Sequence, residues 1–337
     1  MKRRMNAGKR LQRLLSWFLA LVLTAGLLPL AQPKAAAVSL DYALQKAVEW
    51  GFMRGSANGD LREGDPITRA EFVTIVNRAF GYKAMAGEPF TDVSHADWYG
   101  EDVDIAYTEG YINGTTPTRF SPRERLTREQ ATVILCRNLR MQAEPGEDVS
   151  FSDSRQLSDY SRGLIEQAVR YNVVSGYPDG TFRPKNAITR GAAAILLVNA
   201  IGTPVQTPGE HALGGVYGNL TITSSGVTLR DTTVTGNLYI SDGVDMGSVT
   251  LENVTVLGQI IIAGGGSSES GRESIVLRNV SAQELIVDNI RGNQISLGIH
   301  GDGVIQKATI RTDAFVHDNT PDGAGLLNVP LDGQSGT

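Results

Sequence analysis

Three threonine–arginine pairs stand out because both residue types have a defined chemistry at the start of a helix. The pairs are Thr68-Arg69, Thr127-Arg128 and Thr189-Arg190, separated by 59 and 62 residues. A threonine side chain can cap a helix, and Glu71 or Gln130, three residues later, can return a hydrogen bond to the threonine amide. The third pair has Ala192 at that position, so only its threonine is predicted to cap.

Capping does not explain the arginines. A cation in the first helical turn faces the positive end of the helix dipole, which costs about 0.3–1 kcal/mol. Free amides at a helix start and a guanidinium group together suit a carboxylate ligand. We therefore predict that Arg69, Arg128 and Arg190 bind an anionic group; the alternative is that they are solvated surface residues.

These pairs belong to a threefold repeat in which each unit is a helix, a glycine-containing loop and a second helix. One frame without gaps aligns three further sets of positions: Gly51, Gly110 and Asn172; Gly55, Gly114 and Gly176; Leu61, Phe120 and Phe182. Apolar residues behind the caps, such as Phe72, Leu135 and Leu197, recur in all three units and predict a shared core.

Several motifs extend the repeat. They are Phe90-x-Asp92, Trp98, Gly110-Tyr-Ile-x-Gly114, the Gly-Tyr-Pro-Asp-Gly-Thr-Phe-Arg-Pro run at 176–184 and the Ile-Thr-Arg-Ala-Glu run at 67–71. With these motifs the chain resembles three tandem S-layer homology modules. The resemblance implies an all-α, pseudo-threefold spindle whose grooves between modules bind the pyruvylated secondary cell-wall polysaccharide of Gram-positive bacteria. The ketal carboxylate of such a polymer would suit arginine.

The resemblance also implies the residues of the site. Those that contact the polysaccharide would be Arg69, Arg128, Arg190, Asp92, Asp153 and Trp98, beside the capping residues Thr68, Glu71, Thr127, Gln130 and Thr189. Unit one has Ser39 at the tryptophan position and lacks Phe-x-Asp, while unit three has Tyr160 there and lacks the Ala-Glu of the arginine motif. We therefore expect one or two weak grooves. Packing in the core is the alternative role for Trp98.

The apolar pattern changes after the third unit. Residues 202–215 predict a linker by their Pro, Gly and Thr content. Beyond them the apolar residues alternate with polar ones, as in Leu220 to Ile222 and Leu238 to Ile240, which indicates short strands with one buried face.

These strands repeat as well. Four segments superpose when Leu229, Leu251, Leu277 and Ile305 are taken as equivalent, with periods of 22, 26 and 28 residues. Such spacing predicts an all-β parallel β-helix, similar to the right-handed, pectate-lyase-like modules of bacterial surface proteins. Asx side chains two residues further on, at Asp231, Asn253 and Asn279, are expected to stack at one corner.

The β-helix leaves two functions open. A structural or adhesive module, which contacts an extracellular glycan or protein, needs no catalytic residues. A wall-tethered polysaccharide lyase or hydrolase needs carboxylates converging with Arg or Lys on one face, and the candidates lie on separate coils: Asp242, Asp245, Asp288, Asp302 and Asp313. We favour the non-enzymatic reading, with no catalytic residue, metal site or cofactor, because the four histidines and Cys136 show no ligand or nucleophile spacing.

The first 37 residues predict export. They contain seven basic and no acidic residues, then an apolar run and Ala35-Ala36-Ala37, which is typical of a cleaved signal peptide; an uncleaved anchor is the alternative. The remaining 24 basic and 36 acidic residues give a net charge of −12, which argues against a nucleic-acid partner. We expect a secreted protein at the cell wall or S-layer surface of a Gram-positive-type bacterium, with no membrane contact after cleavage.

The predicted architecture is therefore multidomain. Its boundaries are a signal peptide at 1–37, modules at 38–85, 86–147 and 148–201, a linker at 202–215, the β-helix at 216–320 and a polar tail at 321–337.

Overall fold

The computed structural model describes residues 38–87, 90–143, 150–266, 272–321 and residue 325. The predicted signal peptide and most of the predicted tail lie outside these residues. Within them, six α-helices come first: α1 Leu40–Glu49, α2 Arg69–Phe80, α3 Gly100–Thr108, α4 Arg128–Asn138, α5 Asp159–Arg170 and α6 Arg190–Ile201. None of these helices is long and apolar enough to cross a membrane.

Helices α2, α4 and α6 begin where the threonine–arginine pairs predict. Thr68 with Glu71, and Thr127 with Gln130, form complete capping boxes, whereas Thr189 only accepts a bond from the Ala192 amide. These three helices are buried along most of their length and form the shared core, while α1, α3 and α5 each pack one face against it. The all-α triplet is thereby confirmed.

A closed ring of backbone hydrogen bonds marks the pseudo-threefold axis. The amide of Ile67 donates to the carbonyl of Ile188 (3.0 Å), that of Ile188 to Leu126 (2.9 Å), and that of Leu126 back to Ile67 (3.0 Å). Each residue immediately precedes the capping threonine of its unit, and all three are buried. The three units therefore close on themselves, the third contacting the first, rather than forming an open row.

Twelve strands follow the helices within the described residues. They are β1 Thr203–Val205, β2 Gly209–Ala212, β3 Val216–Tyr217, β4 Leu220–Ile222, β5 Val227–Val234, β6 Leu238–Ile240, β7 Val249–Ile262, β8 Ile275–Arg278, β9 Ser281–Val287, β10 Ile295–His300, β11 Ile305–Ile310 and β12 Ala314–Asn319. Every pair among them is parallel. The predicted parallel β-solenoid is confirmed.

The strands form three parallel sheets. Sheet A contains β1, β4, β6, the end of β7, the end of β9 and β11. Sheet B contains β2, the starts of β5 and β7, and then β8, β10 and β12. Sheet C contains β3, the end of β5, the middle of β7 and the start of β9, followed by Ile305. Leu and Ile side chains of all three sheets point into one apolar core.

The register confirms part of the predicted repeat and corrects the rest. Leu229, Leu251 and Leu277 are aligned in sheet B, as expected, but the next residue in that row is Ile299. Ile305 instead pairs with Ala282 in sheet C. An apolar residue at the start of a short strand fits either sheet, so alternation alone could not separate the two assignments.

The Asx corner forms as predicted. Asn253 donates to Asp231 (3.1 Å) and Asn279 donates to Asn253 (3.0 Å), both through side-chain amides. All three residues have a left-handed backbone, with φ between 50° and 55°, which Asn and Asp adopt more readily than other residues with side chains. Gly301 continues the row with φ 81°, where a Cβ would lie 2.0 Å from Asn279 Oδ1.

The expected linker at 202–215 is instead the first coil of the solenoid. β1 and β2 lie within it and pair with β4 and β5, and Gly202 alone separates α6 from β1. Thr and Pro in this segment are compatible with an edge strand, so composition was a poor guide.

The outer face of sheet A packs directly against the helices. Its outward residues Tyr239, Ile261 and Ile286 are at most 3% exposed and belong to the same apolar cluster as α2, α4 and α6. The Tyr239 ring meets Phe80 of α2 edge-on, with centroids 5.8 Å apart. The outer face of sheet A is therefore part of the core of the helical triplet, while the interior of the solenoid is a separate apolar cluster.

Candidate functional site

The repeated arginines reach from one unit to the next. Arg69 at the start of α2 donates from Nε to the Phe120 carbonyl (2.8 Å) and from Nη2 to the Asn113 carbonyl (3.0 Å), both in the loop of unit two. Its guanidinium carbon lies 4.6 Å from the centroid of the Phe120 ring. Arg69 thereby links the first unit to the second.

Arg128 and Arg190 repeat this arrangement around the triplet. Arg128 donates from Nη2 to the Ser175 carbonyl (2.7 Å) and lies over the rings of Tyr177 and Phe182 in unit three. Arg190 donates from Nε to the Leu61 carbonyl in unit one (2.9 Å) and from Nη1 to Glu71 Oε1 (2.9 Å). Burial lowers the pKa of both Arg69 and Arg128.

The helix starts differ from the free amides expected from the sequence. The amides of Arg69 and Ala70 donate to the carbonyls of Glu124 and Pro122 in the next unit, and the third amide bonds to the capping threonine. The equivalent amides of α4 and α6 are satisfied in the same way by the loops of units three and one. Neighbouring carbonyls thus occupy the positions at which an anion was expected.

Asp92 and Asp153 position the loops that receive these arginines. Asp92 accepts hydrogen bonds from the amides of Phe120 (2.8 Å) and Ser121 (2.9 Å), and Asp153 does the same for Phe182 and Arg183. Burial would raise the pKa of Asp92, but the two amides outweigh it and hold the pKa below its ordinary value. Ser121 and Arg183 have φ near 60°, so each carboxylate stabilises a left-handed residue.

An open groove of about 410 Å³ lies beside Asp92. Its lining comprises Asp92, Asp97, Tyr99, Arg119, Ser121, Pro122, Arg123 and Glu124. Trp98 stands next to it with 66% of its surface exposed, its ring edge-on to Tyr99 at a centroid distance of 5.2 Å. The alternative of core packing for Trp98 therefore does not hold.

Sequence reasoning missed Arg119 and Arg123, the cations that face this groove. Arg123 lies four residues before Thr127, and Lys185 lies four residues before Thr189, so a repeated cation was visible in the alignment. It was overlooked because unit one has Gly64 at that position.

Three carboxylates of the solenoid form ion pairs with arginines. Asp242 is 2.7 Å from Arg140, Asp288 is 3.1 Å from Arg311, and Asp245 is 2.9 Å from Arg291. The side chain of Asp242 is fully buried against the helical triplet. Burial raises its pKa to about 6, opposed by Arg140. Asp242 pairs directly with Arg140 of the helical half, and Arg311, the partner of Asp288, donates to the Arg140 carbonyl.

A model of the S-layer homology domain matches residues 89–132 and 150–194, which are units two and three. The chain contains S-layer homology (SLH) domains. Unit one shares their geometry, because Ile67 belongs to the same backbone ring and Arg69 makes the same contact with the following loop. Units two and three are SLH domains, unit one repeats their geometry, and the β-solenoid follows.

Relatives of the SLH-containing chain include enzymes and surface proteins. It is 31% identical over 151 residues to an amylopullulanase of Thermoanaerobacterium thermosulfurigenes, covering 43% of this chain and 8% of that protein. It is 29% identical over 169 residues to the surface-layer 125 kDa protein of Lysinibacillus sphaericus, covering 49% and 14%. It is 29% identical over 194 residues to the middle cell wall protein of Brevibacillus brevis, covering 54% and 17%. The matches span less than a fifth of each relative's length.

Proposed function

We propose that this chain is a secreted surface protein held non-covalently on the cell wall, where its SLH domains bind a pyruvylated secondary cell-wall polysaccharide. The groove beside Trp98 is the observation that carries the proposal. Arg119, Arg123 and Tyr99 line a space of about 410 Å³, and the exposed Trp98 ring packs edge-on against Tyr99. The surface-layer and cell-wall relatives support the same role.

The chemistry of the groove suits an acidic saccharide. A ring such as that of Trp98 offers an apolar face for the C–H groups of a sugar and keeps its N–H for hydrogen bonding. A pyruvate ketal places a fixed carboxylate on the sugar, and Arg123 can receive it through two parallel hydrogen bonds. The sugar ring then contacts Trp98 and the ligand carboxylate contacts Arg123, in a groove that also contains Arg119 and the carboxylates Asp92, Asp97 and Glu124.

In this proposal the repeated arginines and aspartates hold the loops that line the grooves. Arg69 holds the loop of Phe120, and Asp92 fixes the left-handed turn at Ser121, which lines the groove. Arg128 and Asp153 do the same in the third domain. The proposed roles of Arg69, Arg128, Arg190, Asp92 and Asp153 are thus to hold the walls of the grooves, while Trp98 contacts the saccharide.

We assign the solenoid a structural or adhesive role. Sheet A is covered by the SLH domains, and its carboxylate cluster is used in that contact. Sheets B and C keep outward faces on which an extracellular glycan or protein could bind, with Phe315 of β12 54% exposed. The buried position of Asp242 favours this role over that of a polysaccharide lyase or hydrolase.

Sedimentation with cell-wall sacculi tests the proposal. The purified protein is expected to pellet with sacculi that retain their pyruvate ketals, and to stay in the supernatant after mild acid has removed them. Trp98→Ala should weaken pelleting, whereas Phe315→Ala, which removes an aromatic ring of the solenoid that is 54% exposed, should leave it unchanged. Pelleting that survives ketal removal would rule out the proposed ligand.

A further inference from the structure

The three SLH grooves occupy equivalent places but differ in the charges around them. Each is named by its loop: groove 1 by residues 54–65, groove 2 by 113–124 and groove 3 by 175–186. The aromatic position is Ser39, Trp98 or Tyr160, and the loop cation position is Gly64, Arg123 or Lys185, in that order. Grooves 2 and 3 therefore have an exposed ring and a cation at these two positions, while groove 1 has neither there.

In groove 3 the loop cation is already paired with a carboxylate from the second domain. Lys185 Nζ lies 2.6 Å from Glu129 Oε2 and 2.6 Å from the Ser158 hydroxyl. The Glu129 side chain is 2% exposed and also accepts bonds from the Ser158 amide and the Ser161 hydroxyl. Burial would raise the pKa of Glu129, but Lys185 and these donors hold it below its ordinary value. The cation of groove 3 is therefore neutralised within the chain.

In groove 1 a different carboxylate neutralises the arginine that reaches the loop. The arginine that reaches its loop is Arg190, and this residue forms an ion pair with Glu71 at 2.9 Å. The residues corresponding to Glu71 beside Arg69 and Arg128 are Gln130 and Ala192, which carry no charge. Groove 1 thus combines a neutralised Arg190 with Ser39 and Gly64 at the aromatic and cation positions, and Arg62 of its loop is paired with Asp65 at 2.6 Å.

Groove 2 lacks both internal carboxylates. The residue corresponding to Glu129 is Ala70, and that corresponding to Glu71 is Gln130. Arg123 forms no ion pair in the part of the chain that the structure describes; it interacts with the Tyr99 hydroxyl, which also faces Asp97. The remaining carboxylates of the groove are Asp92, held by two amides and 3.6 Å from Arg119, Asp97, which accepts a bond from the Ser94 amide, and Glu124.

We infer that the chain binds one acidic saccharide, in groove 2, and that Glu129 acts as an internal carboxylate that occupies groove 3 in place of a ligand. The inference rests on the proposed function and refines it, because it assigns binding to one of three equivalent sites. A carboxylate held inside the chain competes at a far higher effective concentration than a free ligand, so groove 3 stays closed. Removing Glu129 would leave Lys185 and Tyr160 available, as Arg123 and Trp98 are in groove 2.

Calorimetric titration with a monosaccharide that carries a pyruvate ketal measures the number of sites. The wild-type protein is expected to bind one molecule. Arg123→Ala should weaken binding roughly tenfold or more, whereas Lys185→Ala, which removes the corresponding cation of groove 3, should leave affinity and stoichiometry unchanged. Glu129→Ala should bind two molecules.

The outcomes separate this inference from the function on which it rests. Two or three sites in the wild-type protein, or weaker binding by Lys185→Ala, would overturn the inference and leave the proposed function intact. Absence of binding to the ketal sugar by the wild-type protein would overturn the proposed function itself. Because Lys185 is half-exposed, its variant remains informative even where Glu129→Ala fails to fold.

Discussion

Arg140 Nη2 lies 2.7 Å from Asp242 Oδ2 and joins the SLH domains to the solenoid. Both residues are at most 8% exposed, and Arg140 adopts a left-handed backbone just after α4. Arg311 of the solenoid donates to the Arg140 carbonyl at 2.9 Å. A buried charge pair at this contact favours one relative arrangement of the two halves, because any displacement would leave a buried charge without its partner.

Breaking this pair is expected to destabilise the whole chain. Asp242→Ala leaves the Arg140 charge buried without its partner, which costs about 3–5 kcal/mol. Urea unfolding measures the loss. The double variant Arg140→Met with Asp242→Leu removes both charges and should recover most of the stability. A loss below about 1 kcal/mol for the single variant, typical of a surface pair, would contradict the assignment.

Stability should fall as the pH rises from about 4.5 to about 8 because of Glu109. Burial raises its pKa to about 8, with Asp242 and Asp245 adding to the effect and Arg291 and Arg140 opposing it. The folded chain therefore retains a proton that the unfolded chain releases near pH 4.5. Folding stability decreases between about pH 4.5 and pH 8 and levels off above.

The variant Glu109→Gln isolates this effect, because glutamine resembles the protonated acid at every pH. Between pH 6 and pH 9 the wild type should lose about 2–3 kcal/mol relative to the variant. Urea titrations at the two pH values provide the measurement. A difference that stays constant across that range would show that Glu109 is ionised in the folded chain at pH 6.

The Asx row of the solenoid should contribute through both its hydrogen bonds and its backbone. Asn253→Ala loses the bonds to Asp231 and Asn279 and puts alanine, which adopts the left-handed region less readily than asparagine, at φ 55°, for about 2–3 kcal/mol in total. Asn253→Gly loses the same bonds but tolerates the backbone, so it should cost about 1 kcal/mol less. Thermal unfolding compares the two. Equal losses would mean that the backbone conformation contributes nothing.

Variants of Arg69 and Trp98 should have different effects on stability and on binding. Arg69→Ala leaves the carbonyls of Phe120 and Asn113 without donors and should cost about 2–4 kcal/mol of folding stability. Trp98→Ala removes an exposed ring and should change stability by less than about 0.5 kcal/mol, while weakening sedimentation with sacculi. The reverse pattern, a stable Arg69 variant that binds weakly, would instead make Arg69 a direct contact.

The sequence predicts what depends on neighbours along the chain. Capping boxes join residues three apart, and the Asx row follows from a repeated position, so Thr68, Thr127 and Asn253 were identified correctly. The contacts of Arg69 and Arg190 were not, because their partners lie 51 and 129 residues away. Whether an amide at a helix start is free or bonded depends on which loop packs against it. That contact exists only in the closed triplet.

The boundary between the two halves shows a similar limit. Residues 202–215 have the composition of a linker, yet they pair with β4 and β5. The sequence made Asp242 a candidate catalytic carboxylate, but in the structure the helices bury it. In both cases the decisive contact comes from the other half of the chain.

The central claim is that an SLH groove recognises the ketal carboxylate of a wall polysaccharide. The most direct measurement is a calorimetric titration of the protein with purified wall polysaccharide fragments, before and after removal of the pyruvate ketals. The account predicts binding to the intact fragments that weakens roughly tenfold or more without the ketals, and also weakens with added salt. Equal affinity for both preparations would contradict it.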